Sequence, residues 1–471
     1  MRLQSAPRWA LALCLALMNA PAMAAELPGD SLGVWWALPF AGMLLSIAVM
    51  PLLMPGVWHR HFGKITAAWS LALLLPLAGH LGVGLVGGVL AHTLLTEYLP
   101  FIVLLTALFT TAGGIHVRGN LHGSPLTNTA LLAVGAALAS VMGTTGASML
   151  MVRPLIRAND NRRHVAHVMV FFIFIVSNAG GALTPLGDPP LFLGFLKGVD
   201  FFWTLKHIGP QTLFLVLGLL AIFYVLDRYW FTHEALLPLD PTPDNGRLGL
   251  DGAVNFLPLA AVVALVLMSG LWKPGVAVNV AGVEMGLEQL VRDALLLVVI
   301  GVSLWITPAG VRARNQFSWG PMLEVAKLFV GIFLTMMPVL AMLKAGAHGP
   351  FAGLVLAASD AAGAPSPLAY FWLSGALSSF LDNAPTYLVF FNLAGGDPAR
   401  LMTTLAPVLG AISAGSVFMG ANTYIGNAPN FMVKAIAEER GLRMPSFFGY
   451  MAWSAAVLLP MFALITLIWF R

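Results

Sequence analysis

Apolar runs of roughly 17–25 residues, each long enough to cross a bilayer, recur along the whole of this chain. Residues 253–271 and 447–470 hold no charged side chain at all. A large soluble protein would need charged outer faces on such helices, and these segments have none to offer. Composition agrees: 59% of the 471 residues are hydrophobic and 9% charged, where a soluble domain is about one-quarter charged. The sequence therefore predicts an all-α polytopic membrane protein whose first partner is the lipid bilayer.

The net charge of +4 does not point to nucleic acid, because no basic run carries interleaved aromatics. The positive side chains sit in short segments between apolar ones, where they set topology. The single cysteine, Cys14, excludes an intrachain disulfide and a thiolate metal cluster. No Walker A loop suggests that ATP drives the protein. No nucleophile–base arrangement reads as an enzyme, and no cofactor is expected. Residues 1–24 read as a bacterial secretory leader: Arg2 and Arg8, an apolar core from Trp9 to Ala20, and Ala22-Met23-Ala24 as the cleavage site. Cleavage after Ala24 would leave the N-terminus in the periplasm of a protein of the bacterial inner membrane. The competing reading is an uncleaved anchor, for which the core is short.

From that start the basic segments fix the count. Residues 33–54 lead to Trp58-His59-Arg60-His61-Phe62-Gly63-Lys64, cytoplasmic by the positive-inside rule. A second helix from Ile65 and a third over 98–117 return to Arg118. Residues 125–156 are apolar but interrupted at Gly143-Thr144-Thr145-Gly146-Ala147-Ser148, and end at the basic run 157–164. Both ends then lie on one side, so the segment is expected to be a re-entrant hairpin whose tip lines a cavity or is buried in protein. A helix broken near Thr184–Pro190 follows over 165–192, then a fifth over 212–226. Residues 231–252 form the connecting loop. The second half (253–470, after a first half of 33–230) repeats the plan. Helices are expected over 253–271, 293–307 and 321–340, with a hairpin over 367–392, a broken helix over 401–433 and a last helix over 447–470. Five crossings plus one hairpin per half make the halves two inverted repeats with discontinuous helices, a common carrier architecture.

A shift of 239 positions makes the repeat visible in the letters. Gly143-Thr144 falls on Asp382-Asn383, and Gly181-Ala182 on Gly420-Ala421. Without a gap, Thr184-Pro185-Leu186-Gly187-Asp188-Pro189-Pro190-Leu191-Phe192 falls on Thr423-Tyr424-Ile425-Gly426-Asn427-Ala428-Pro429-Asn430-Phe431.

A helix broken at membrane depth frees N–H groups that attract anions and carbonyls that coordinate cations. Hydroxyl, amide and carboxylate oxygens add ligands for a hard cation such as sodium. The candidate ion- and substrate-binding residues are Thr144, Thr145, Ser148, Thr184, Gly187 and Asp188 in the first half. Asp382, Asn383, Thr386, Asn422, Thr423, Gly426 and Asn427 are their counterparts in the second. Asp188 and Asp382 stand out as carboxylates at membrane depth, able to hold sodium when ionised and a proton when not. The alternative for each is a helix cap. Glu97 and the His164/His167 pair read as ordinary surface groups. Arg153 either neutralises a substrate carboxylate or snorkels to the cytoplasmic face.

These motifs resemble those of the ion transporter superfamily, which includes D-type sodium/proton antiporters, citrate–metal symporters and sodium–dicarboxylate transporters. Gly181-Ala182-Leu183-Thr184-Pro185-Leu186-Gly187-Asp188 is similar to the Gly-Ala-x-x-Pro-x-Gly-Asp signature of the antiporters. Leu381-Asp382-Asn383-Ala384-Pro385 is similar to their second-hairpin Asp-Asn-x-Pro. The first tip departs from the antiporter pattern: Gly143-Thr144-Thr145-Gly146 stands where Asp-Asn is usual, closer to the hydroxyl-rich tips of carboxylate carriers. The resemblance implies a homodimer with a scaffold and a moving transport domain. The leading expectation is sodium/proton antiport at Asp188 and Asp382. The alternative is a sodium- or proton-coupled citrate or dicarboxylate carrier with Thr144, Thr145, Asn383 and Thr423 on the substrate. A channel suits closed hairpins less well.

Overall fold

A computed structural model describes residues 26–119, 121–234 and 248–471. The leader and most of the connecting loop (235–247) fall outside the described residues. The described chain is helical nearly throughout, and ten of its helices are long and apolar enough to cross a membrane. They are not the ten expected from the sequence. The incoming hairpin arm Pro125–Met142 qualifies by length, whereas Ala406–Asn422, in the second broken helix, falls just short.

Local chemistry explains where the helices start. Ser124 and Ser366 each precede a proline at the first helical position, and their side chains accept the N–H of Thr127 and Ala369. A serine cap followed by proline satisfies or removes the donors a helix start would leave free. These two caps open the paired units expected as hairpins. The first is Pro125–Met142 with Thr144–Ala158, and the second is Pro367–Phe380 with Asn383–Leu393. The tips turn differently. Gly143 turns the first alone, at φ +81° and ψ 149°, a conformation open only to glycine. The second turns through extended Leu381, with Asp382 capping the next helix.

Each unit is followed by a helix in pieces: Ala166–Ile175, Ala179–Leu183 and Pro189–Leu196 in the first half, Ala406–Met419, Gly420–Asn422 and Ala428–Glu439 in the second. The repeat extends to individual bonds. The Thr184 hydroxyl donates to the Ser140 carbonyl, and Thr423, 239 positions on, to that of Ser379. The Ser140 hydroxyl donates to the Gly180 carbonyl, and Ser379 to that of Met419. A Cβ on Gly187 would overlap the carbonyl of Gly181, and one on Gly426 that of Gly420. Glycine therefore stands at these positions because the chain folds back on itself there.

Burial separates the core from the periphery. Of Ala166–Leu183, 89% is buried inside the protein, against 22% of Val34–Pro51 and of the most apolar stretch of Pro55–Leu81. The outer helices carry the exposed apolar side chains, among them Trp35, Leu75 and Val83.

Several boundaries correct the sequence reading. The basic segment 58–64 is helical, because the helix starts at Pro55 rather than Ile65 and runs through it. The third span starts at Val83 rather than at 98 and passes through a π-helical turn, Leu94–Tyr98. The fifth runs over Trp203–His233 rather than 212–226. It continues past Asp227 because that carboxylate meets Arg162 Nη1 and His167 Nε2, both at 2.8 Å. Leu287–Ile306 likewise starts before Asp293, whose charge is held by Arg292 at 2.7 Å. The strand pairs Ala277–Val280 with Val283–Gly286, and His116–Arg118 with Gly249–Asp251, were not anticipated.

Candidate functional site

The two tips and the two breaks meet. Thr144, Thr145, Gly187, Asp188, Asp382 and Asn427 line one cavity of about 370 Å³. Its lining extends to Trp58 and His59, and to Pro321 and Glu324, so it points to the end of the molecule that carries the basic segments. Among the described lining residues there is no lysine or arginine.

Asp188 is the centre. It is 1% exposed. Oδ1 accepts the Thr144 hydroxyl at 3.0 Å and the Asn427 amide at 3.4 Å, and Oδ2 accepts the Asn383 amide. These donors come from the first tip, the second break and the second tip, so one carboxylate ties both halves together. All three are neutral. The capping alternative does not hold for Asp188: it stands at the start of Pro189–Leu196, but its side chain bonds no N–H of that helix. Pro189 and Pro190 have none to give. A buried carboxylate with neutral partners alone is a seat for a cation or a proton. Asn427 occupies the equivalent place in the second half, so the pair carries one charge rather than two.

Asp382 has the simpler role. It lines the cavity, half-buried, and its Oδ1 accepts the Ala384 N–H at 3.1 Å, so here the carboxylate is a helix cap. Its second oxygen is free for a ligand. Asn383 is fully buried, and its Oδ1 has no partner.

The other predicted residues shape the backbone around the cavity without lining it. Thr386 donates to the Asp382 carbonyl at 3.0 Å. Thr423 accepts the N–H of Ile425 and of Gly426. The Asn422 amide holds Ser379 Oγ at 2.9 Å, and Ser148 pairs with Ser177 at 2.9 Å. Thr184 and Gly426 serve the folds described above.

Sequence reasoning missed a second layer. Asn427 Nδ2 also reaches the Ser177 carbonyl at 3.1 Å and Asn178 Oδ1 at 3.2 Å. Asn178 donates to Asn430 Oδ1 at 2.7 Å, and Asn430 to the carbonyls of Gly420 and Thr423 at 2.8 Å each. Both asparagines lie next to the breaks, in apolar surroundings, and that contrast was the available signal. Two surface assignments are also corrected. Glu97 is buried against Lys197 at 2.6 Å, and His167 is buried against Asp227.

The cavity also gathers helix N-termini. The residues preceding the first turns of Thr144–Ala158, Pro189–Leu196, Asn383–Leu393 and Ala428–Glu439 are Gly143, Asp188, Asp382 and Asn427, and all four line it. Each end carries partial positive charge.

A family model described as "Putative citrate transport" matches residues 29–470. The chain belongs to this family. It is a multi-pass membrane protein of a transporter family. Its relatives include uncharacterized transporters of Mycobacterium bovis and Mycobacterium tuberculosis, each 26% identical over 451 residues, covering 90% of this chain and 91% of theirs. A second Mycobacterium tuberculosis transporter is 25% identical over 301 residues, covering 59% of this chain and 65% of its own.

Proposed function

We propose that this protein is a cation-coupled carrier for citrate or a related carboxylate in the bacterial inner membrane. It works by alternating access between two inverted repeats and assembles as a homodimer. The observation that carries the reading is the double character of the cavity. Three helix N-termini with N–H groups to offer, those after Gly143, Asp382 and Asn427, favour an anion. Asp188, Asp382 and Glu324, with no lysine or arginine among the described lining, favour a cation. An anion entering alone would meet three carboxylates, so it is carried with sodium, a divalent metal ion or protons. The family description and the hydroxyl-rich first tip support the carboxylate.

In this reading Asp188 holds the coupling cation or proton, with Thr144, Asn383 and Asn427 fixing its oxygens. The Thr145 hydroxyl and the N–H groups at the helix starts hold the carboxylate, with a cation between it and Asp382. In this reading the cavity, which points to the basic segments, opens to the cytoplasm. Sodium/proton antiport at the same carboxylate is the second reading, supported by the antiporter-like stretches at Gly187-Asp188 and Asp382-Asn383.

The test is synergy in binding. Citrate should raise the Tm of the purified protein strongly only when sodium or magnesium is present. Sodium-dependent stabilisation that is indifferent to citrate would favour antiport.

A further inference from the structure

Arg153 lies outside the cavity and has a buried guanidinium with donors to spare. It is 8% exposed. Nη2 donates to Gln316 Oε1 at 3.1 Å, while Nε and Nη1 have no partner. A buried arginine left with unpaired donors is costly and calls for an anion. Its place is defined. Thr144–Ala158 packs along Ala428–Glu439. One turn before Arg153, Met149 packs with Phe109, Met322 and Met432, which line the cavity. Arg153 is therefore the next layer outward. It stands nine residues beyond Thr144, roughly 14 Å along the helix axis, too far for one small carboxylate to span both. Arg157 and Arg440 stand within electrostatic reach, with Glu439 as the acidic neighbour. Arg157 already gives Nη2 to the Val117 carbonyl, and Arg440 is exposed.

We infer that Arg153, backed by Arg157 and Arg440, forms a second oxyanion station at the mouth of the cavity, which holds one carboxylate of the substrate on its way to or from the centre. The substrate identity rests on the carboxylate reading above; the station itself is a site for an oxyanion. The station places positive charge where the cavity lining has none. It attracts a multivalent anion toward a centre that accepts it only together with a cation.

The experiment uses the purified full chain, with sulfate and citrate as probes and chloride at matched ionic strength as control. With choline as the only added cation, so that the centre stays unloaded, sulfate and citrate should each raise the Tm of the wild-type protein modestly. Arg153→Gln should weaken both anions about tenfold or more, as expected for loss of a bidentate charged contact. Arg153→Lys, which keeps the charge and loses the fork, should fall between. Asp188→Asn should leave the sulfate response intact, because that residue belongs to the centre. In proteoliposomes, sulfate should inhibit citrate uptake competitively in the wild type and far less in Arg153→Gln. Equal anion responses in the wild type and a folded Arg153→Lys and Arg153→Gln pair would overturn the station. An Arg153-dependent sulfate response without any citrate transport would keep the station and sink the carboxylate reading instead.

Discussion

Asp188→Asn probes the centre most sharply. The side chain keeps its shape and loses its charge. A monovalent cation about 4 Å from the carboxylate gains about 4 kcal/mol at an effective dielectric constant of about 20, or roughly a thousandfold in affinity. The structure offers little compensation, since Thr144, Asn383 and Asn427 are neutral donors and the described cavity lining adds no cation to be released. Folding should suffer little. All three hydrogen bonds lose their charge assistance and Asn383 must turn its unpartnered Oδ1 toward the new amide, a cost of about 1–3 kcal/mol, while an uncompensated buried charge is removed. The assay is labelled-citrate uptake by proteoliposomes against cation concentration, with thermal stability measured alongside. The expected result is loss of cation-dependent uptake with a nearly unchanged Tm. Wild-type cation dependence in a well-folded Asp188→Asn protein would refute the assignment, and unfolding would show that Asp188 acts chiefly as a structural tie between the halves.

Four further outcomes follow from the geometry. Gly143→Ala forces a Cβ onto a backbone at φ +81° and should cost about 1–3 kcal/mol, read as a lowered Tm, with transport falling as the Thr144 hydroxyl shifts. Asn383→Ala withdraws the donor to Asp188 Oδ2 and should weaken substrate or cation binding about tenfold or more while expression is kept, measured by titrated thermal shift. Asp227→Asn takes one of two carboxylates from the buried Arg162, which keeps Glu234 at 2.7 Å, and takes the charged partner from His167; it should destabilise by about 1–3 kcal/mol, although it touches no part of the cavity; detergent-solubilised yield and Tm check this. Glu97→Gln, which removes the charge from the buried partner of Lys197 but keeps an oxygen to accept from it, should cost about 1–3 kcal/mol. A larger effect on uptake than on Tm would mark that pair as a contact that changes during transport.

The architecture was legible because two periodicities coincide. Basic segments recur at the ends of apolar runs, and the Thr-x-x-Gly-x-x-Pro-x-Phe stretch recurs at one fixed shift. The same shift relates the Thr184–Ser140 and Thr423–Ser379 bonds. Boundaries failed where charge is neutralised inside the protein. Asp227 and Asp293 looked like helix ends, and each is a buried member of an ion pair. The site was legible as a set of residue types, but not in its division of labour. In the letters only the two prolines after Asp188, which remove the N–H groups a cap would bond, distinguish it from Asp382, which caps its own helix. The bonds of Asp188 to side chains from both halves come from the tertiary meeting of the breaks. Asn178 and Asn430 escaped notice because an asparagine within an apolar run gives no sign of facing another 252 positions away.

The most direct test of the central claim is a paired flux measurement in one preparation of proteoliposomes with a trapped pH dye. Labelled citrate is offered under an imposed sodium, magnesium or proton gradient, and the same cations are then added without citrate. The account predicts citrate uptake driven by at least one of these gradients and abolished by Asp188→Asn, with no dye response to sodium alone. Collapse of the pH gradient by sodium or lithium without citrate, together with no citrate uptake under any gradient, would contradict it and identify the cavity as an antiport site.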